Sequence, residues 1–241
     1  MCSKINRSEH TDTAEYAQLN KNTVKSQDQL KDSQSVRFEN VDGKGIRIMF
    51  IGNSITLHGV KPDIGWYNEW GMAASAKEKD YVHRLMSEVK KTAPDAAFCI
   101  CQVAGWERQY NDEAFAYNIY ENAQQFGADV IIMRFIENCP GVGFDADAFK
   151  RSLRKLFDYL DPNGKAKIIL TTGFWKHPGD AAIVEYGKEN GLPVIKLGDL
   201  GEDNAMKAIG LFEHGGVANH PGDLGMEKIA QRIFSELKQY L

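Results

Sequence analysis

The sequence predicts a three-layer, doubly wound α/β domain on a mainly parallel five-stranded sheet. Five short runs, IRIMFIG (46–52), AFCICQV (97–103), DVIIMRF (129–135), AKIILTT (166–172) and LPVIKLG (192–198), are apolar almost throughout. Strands buried on both faces read this way, whereas a sheet with one wet face alternates. Amphipathic stretches separate the runs, as helices that cover such a sheet would. The chain has 241 residues, 43% of them hydrophobic, enough for one sizeable core.

Residues 1–45 come first and do not fit this pattern. They are rich in Lys, Asn, Asp, Gln, Ser and Thr, with too few large apolar residues to hold them to a core. They read as a polar arm or linker, with helical potential around Ala14–Leu30, and residues 46–241 as the domain proper. After the first strand, Tyr81, Val82, Leu85, Met86 and Val89 recur at helical spacing. A further helix is expected to contain Phe115, Ile119, Tyr120 and Phe126. Phe149, Leu153, Leu156, Phe157 and Leu160 mark another, and Met226, Ile229, Ala230, Ile233, Phe234 and Leu237 the last.

The net charge of -4 provides no basic field to attract nucleic acid or an anionic membrane surface, so neither is an expected partner. No apolar stretch approaches the ~20 residues that span a bilayer. MCSKINRSEH lacks the hydrophobic segment of a secretory signal, so the cytoplasm is the expected location. Cys2, Cys99, Cys101 and Cys139 form no CxxC pair and meet no histidine cluster. They read as free thiols, and neither a metal nor a cofactor is expected. Cys99 and Cys101 alternate along one strand and should share a face.

In a parallel sheet with right-handed crossovers, the residues just after the strands gather at the carboxyl edge, where ligand sites of open α/β sheets lie. Gly52-Asn53-Ser54 follows the first strand. Taken alone it is an ordinary turn, since Gly and Asn accept unusual dihedrals and Ser caps helices. Read chemically, Ser54 is a hydroxyl nucleophile awaiting a base. Near the chain end, VANHPGDLGMEKIA holds His220 on a short turn before the final helix. An isolated histidine there would be a surface residue, but Ser54 and His220 both fall at one edge of one sheet. Asn138, after the third strand, can donate to a developing oxyanion, and Gly105, after the second, allows close approach of backbone N–H. Glu107 in the same VAGWER segment is the alternative to Gly105, with a different role.

The combination of GNSITLHG, Gly105, IEN at 136–138 and HPGDLGMEKIA resembles the GDSL-type esterases, or SGNH hydrolases, in order and spacing over residues 46–241. The resemblance implies a flavodoxin-like SGNH hydrolase fold, Ser54 and His220 as catalytic residues, and an oxyanion hole formed by Ser54, Gly105 and Asn138. It departs from the pattern in Asn53 for aspartate, Ile136 for glycine and Cys139 for aspartate. Val217 stands where the family has the acid that orients the histidine. Loss of that acid in a serine triad costs up to ~10,000-fold. A backbone carbonyl near Val217 can take its place, as can Glu213, Asp203 or Asp199; His214 is a less favoured neighbour.

The implied reaction is hydrolysis of a small acyl ester. Trp66 and Trp70, in KPDIGWYNEWGMAAS, form either a core flap or an aromatic wall over the substrate, and Trp106 and Trp175 either rim or core. A wall of that kind suits sugars, and the resembled family includes carbohydrate acetylesterases, so an O-acetylated saccharide is the expected substrate. Competing readings are a lipase or thioesterase of the same family and a catalytically lapsed binding module. A flavodoxin-like nucleotide binder is disfavoured, because GVGF at 141–144 is too short for a phosphate cradle.

Overall fold

The computed structural model of the protein describes residues 35–241; Cys2 and the stretch Ala14–Leu30 lie outside the described residues. Each of the five apolar runs contains a strand: β2 (Arg47–Gly52), β3 (Ala97–Gln102), β4 (Val130–Arg134), β5 (Lys167–Thr171) and β6 (Val194–Ile195). Among the described residues the sheet has six strands rather than five. β1 (Val36–Glu39) pairs antiparallel with β3 at one edge, in the order β1-β3-β2-β4-β5-β6, and all the other pairings are parallel.

β1 falls within the stretch read as an arm, so the folded unit starts before residue 46. Its four residues include no fully buried side chain. What holds it is pairing, charge and partial packing: Arg37 meets Glu69 at 2.8 Å, Glu39 contacts both Lys77 and His83, Val36 packs on the first core cluster and Phe38 lies on Phe126 with ring centroids 5.9 Å apart. An apolar-run criterion cannot detect such a strand.

β2 lies between β3 and β4. The chain therefore winds outward in both directions from β2, and a crevice opens beyond its carboxyl end, at the topological switch point. Helices cover both faces. Met49 and Ile51 join one core cluster with α4 (Ala146–Leu160) and α5 (Asp180–Asn190). Ile48 and Phe50, pointing the other way, join a second with α1 (Tyr81–Thr92) and α7 (Asp223–Leu237). Cys99 and Cys101 share the first cluster, buried as free thiols.

Two helical expectations change. The segment 115–126 is a 3₁₀ turn (Tyr117–Tyr120) followed by α3 (Glu121–Phe126), ended by left-handed Gly127, with Phe115 ahead of both. Its aromatic residues pack on one another, Phe115 against Tyr117 with centroids 5.2 Å apart, which leaves the apolar periodicity without one continuous helix. α5 was not anticipated, because its buried residues are mostly small or polar-tipped: Ala182, Ile183, Tyr186 and Gly187. Among the described residues no helix is long and apolar enough to cross a membrane.

Candidate active site

Gly52 is the last residue of β2, and its neighbours leave it no room for a side chain: a Cβ would sit 1.8 Å from Thr56 Oγ1 and 2.8 Å from the Arg134 carbonyl. The turn that follows closes on Asn53, whose carbonyl accepts from the amides of Thr56 and Leu57. Ser54 is thereby presented beyond the sheet edge, and its carbonyl is tied to the Met72 amide at 2.8 Å.

The second half comes from the far end of the chain. α6 (Gly215–Ala218) and the residues after it bring His220 back over the edge, where the Ala208 amide donates to its carbonyl at 2.9 Å. Ser54 Oγ and His220 Nε2 are 2.8 Å apart, and His220 Nδ1 is 2.7 Å from the Gly216 carbonyl. A carbonyl oxygen only accepts, so the ring proton belongs on Nδ1 and the lone pair on Nε2 faces the serine hydroxyl. Burial lowers the imidazole pKa to about 4, so the ring is neutral at neutral pH. The ring of Trp175 packs edge-on against it, centroids 5.3 Å apart.

None of the three candidate carboxylates occupies Nδ1. Asp199 is held bidentate by Arg232 at 2.6 Å for each contact, Asp203 caps a 3₁₀ turn through the Ala205 amide, and Glu213 is exposed. The backbone carbonyl considered near Val217 is the partner, and it belongs to Gly216. His214 Nδ1 accepts from the Val217 amide at 3.4 Å, which shapes the loop that carries that carbonyl.

A cavity of about 200 Å³ opens on this pair, lined among others by Asn138, Ala104, Gln102, His58 and Arg108. Gly105 is the second residue of α2 (Ala104–Arg108), in the first turn, where amides have no partner within the helix. A Cβ there would meet nothing within 4 Å. Trp66 and Trp70 do not line the cavity. Trp66 is fully buried, packed edge-on against Trp70 and beside Phe212, and the Trp70 indole donates to the Ala74 carbonyl. The aromatic wall is therefore a third, small core cluster, in which Trp66 joins Met72, Ala73, Ala208 and Val217. Trp106 is likewise buried, against Phe135 and Phe149.

Below the turn lies a polar network that sequence reasoning missed. Arg134 Nη2 donates to Asn53 Oδ1 at 2.8 Å and to Glu137 Oε2 at 2.6 Å. Asn53 Nδ2 donates to Glu137 Oε2 at 2.6 Å and to Glu107 Oε1 at 3.2 Å. Glu107 accepts in addition from the Asn138 amide at 3.2 Å and from Asn138 Nδ2 at 2.8 Å. Burial opposes ionisation of Glu137, but Arg134 and the Phe174 amide outweigh it and hold the carboxyl below its ordinary value. Glu107 goes the other way, raised to about 7 by burial and then by Glu137. One signal did exist: Arg134 is a charge inside an apolar strand run, and such a residue needs a buried partner. His58 had a signal too, four residues after Ser54 in the same block. Burial lowers its pKa, and Nδ1 donates to the Gly59 carbonyl.

No protein-family profile matches the chain, and no curated protein matches it. Solved structures do. A two-domain esterase active on acetylated mannans, co-crystallised with mannopentaose, aligns with TM-score 0.56 at 18% identity, over 83% of this chain and 52% of that one. The lipase/acylhydrolase from Enterococcus faecalis aligns with TM-score 0.51 at 16% identity, over 81% and 97%. An acetyl xylan esterase aligns with TM-score 0.50 at 16% identity, over 79% and 99%. The chain spans about half the length of the mannan esterase structures it matches, 52% and 50%. The mainly parallel sheet flanked by helices is that of the SGNH hydrolases, whose sequence blocks the chain resembles, and it is their fold that this protein has.

Proposed function

We propose that the protein is a serine esterase that hydrolyses small acyl esters, with an O-acetylated saccharide as substrate. The observation that carries this reading is the 2.8 Å contact between Ser54 Oγ and His220 Nε2 at the switch point of the sheet. His220 takes the hydroxyl proton as Oγ attacks the ester carbonyl. The resulting oxyanion is held by Asn138 Nδ2 and the amides of Ser54 and Gly105. Collapse transfers the proton to the leaving alcohol; water, activated by the same imidazole, then releases the acid and restores Ser54. Base catalysis of this kind contributes ~100- to 10,000-fold, and a single oxyanion donor ~100- to 1000-fold.

A cavity of about 200 Å³ is smaller than the ~300–1000 Å³ of drug-sized sites, which favours an acetyl-sized acyl group over a fatty chain. The acetyl-ester substrates of two structural neighbours point the same way. The saccharide does not rest on Trp66 and Trp70, which are core; Trp175, half-buried and packed edge-on against His220, is the aromatic residue we assign to the alcohol portion.

One observation favours a lapsed binding module: Gly216 offers His220 a neutral carbonyl where a triad has a carboxylate. The neutral acceptor still fixes the tautomer but stabilises the imidazolium less, so a low turnover is expected rather than none. The test is para-nitrophenyl acetate hydrolysis together with a serine-directed phosphonate, the adduct located by peptide mass spectrometry. The esterase reading expects label on Ser54 and loss of both signals in Ser54→Ala. Folded wild-type protein that neither turns over nor labels at Ser54 would leave the binding module standing.

A further inference from the structure

The side-chain amide of Asn138 has nearly the same shape whichever way round it sits, yet only one orientation offers an N–H to an oxyanion. Two consecutive residues of α2 reach it from opposite sides. Arg108 Nη2 donates to Asn138 Oδ1 at 3.1 Å, and Glu107 Oε2 accepts from Asn138 Nδ2 at 2.8 Å. A guanidinium can only donate and a carboxylate can only accept. Turning the amide over would press its oxygen against the carboxylate and its NH₂ against the guanidinium. We propose that Glu107 and Arg108 are positioning residues that lock the Asn138 amide with its second Nδ2 hydrogen toward the cavity. The inference rests on the proposed oxyanion role of Asn138.

Glu107 is well placed for this. It is fully buried, and its other oxygen accepts from Asn53 Nδ2 and the Asn138 backbone amide, so its carboxylate is fixed from both the β2 and β4 turns. The charged or titratable groups facing it are Glu137 and Cys139 after β4, Arg134 through Glu137, and Arg108 on its own helix. Its oxygens receive three N–H donors, and protonation turns one of the oxygens into a donor. The lock then loses an acceptor, and this occurs as pH falls through about 7. His220, lowered to about 4, remains a neutral base throughout that range.

The test measures kcat and KM for para-nitrophenyl acetate, with pH profiles, in wild type, Asn138→Ala, Glu107→Gln, Arg108→Met and the double variant Glu107→Gln/Asn138→Ala. A glutamine at 107 keeps its oxygen where two donors, Asn53 Nδ2 and the Asn138 amide, meet Oε1, and so sets its NH₂ against Asn138 Nδ2; kcat should fall roughly tenfold or more with KM nearly unchanged. In the double variant kcat should equal that of Asn138→Ala alone, because both changes remove the same donor. The wild-type acid limb should lie near pH 7 and should vanish in Glu107→Gln, which leaves only the His220 limb near 4. Should Glu107→Gln not fold, Arg108→Met, on the exposed side, carries the same kcat expectation. A wild-type kcat in Glu107→Gln, losses that multiply in the double variant, or a limb near 7 that survives would each overturn the lock while a slow Asn138→Ala keeps the oxyanion reading. Asn138→Ala at wild-type kcat would overturn both.

Discussion

A single methyl group at position 52 would touch Thr56 Oγ1 and the Arg134 carbonyl at once. Neither can yield: the hydroxyl is bonded to Tyr81 at 2.6 Å, and Arg134 is paired to Gly52 across β2 and β4. Overpacking of this kind costs about 1–3 kcal/mol and more where backbone must shift. We expect Gly52→Ala to lose about 3 kcal/mol in urea unfolding and to lose phosphonate labelling of Ser54, whose position hangs on that turn. Stability within 0.5 kcal/mol of wild type, a margin usual for surface changes, would refute the steric account. At this scale the sequence placed Ser54, His220, Asn138 and Gly105 after strands, and the structure puts Ser54, His220 and Asn138 around one cavity. The sequence was silent on which apolar rings face outward. Trp66 and Trp175 are equally good rim or core by type; only the packing of Phe212 over the one and His220 against the other separates them. The missed Glu107 is a buried charge, and a sequence does not reveal which carboxylate has enough N–H donors to be buried.

Among the elements, β1 is tied to the rest of the fold in part by charge. Glu39 lies 3.3 Å from His83 Nε2, and His83 Nδ1 is 2.8 Å from Asp80, the buried N-cap of α1. Burial alone would lower the His83 pKa, but the two carboxylates raise it to about 9; Glu39 is lowered to about 2, chiefly by its bond to His83. A histidine raised above its unfolded value of about 6.5 stabilises fully below that pH, and the contribution is lost as pH climbs to about 9. Glu39 contributes above its ordinary value near 4.5 and loses that contribution as pH falls toward 2. Both therefore act together between about 4.5 and 6.5. From pH 6.5 to 9 we expect unfolding free energy to drop by up to about 3 kcal/mol, and β1 amides to exchange faster. In His83→Gln that pH-dependent loss should be absent; a wild type that is flat over the window would contradict the anchor. The same elements show why strands of apolar run were legible and β1 was not. β2 to β5 draw their stability from burial on both faces, a signal most of their residues carry, whereas β1 is only partly buried and also depends on Lys77, Glu69 and His83, 30 or more residues away.

Over the whole molecule, the site is made where the two ends of the described fold meet, and that meeting is a matter of topology rather than local pattern. Parallel class follows from the runs, but that β2 lies centrally, with β3 and β4 on either side, follows from the order of winding, which no single segment encodes. One residue couples the first block to the last. Asp223, in the first turn of α7, accepts from the Ser75 amide at 2.8 Å, from Ser75 Oγ at 2.7 Å and from Lys79 Nζ at 2.9 Å. These bonds pin α7 to the loop that follows Ser54, and the carboxylate also faces the positive end of its helix. The loop bearing His220 has tethers of its own: the Ala208 amide, and the bridge between Lys207 and Pro221. Stability and rate should thus respond unequally to Asp223→Ala. We expect the urea midpoint to fall by the equivalent of about 2 kcal/mol with an unchanged slope. Because the imidazole is held independently, kcat should fall by less than about tenfold. A rate that collapsed a hundredfold beside an unmoved midpoint would mean that Asp223 acts on His220 directly, and that the chain end is positioned for chemistry by this carboxylate instead of by the Ala208 and Pro221 contacts.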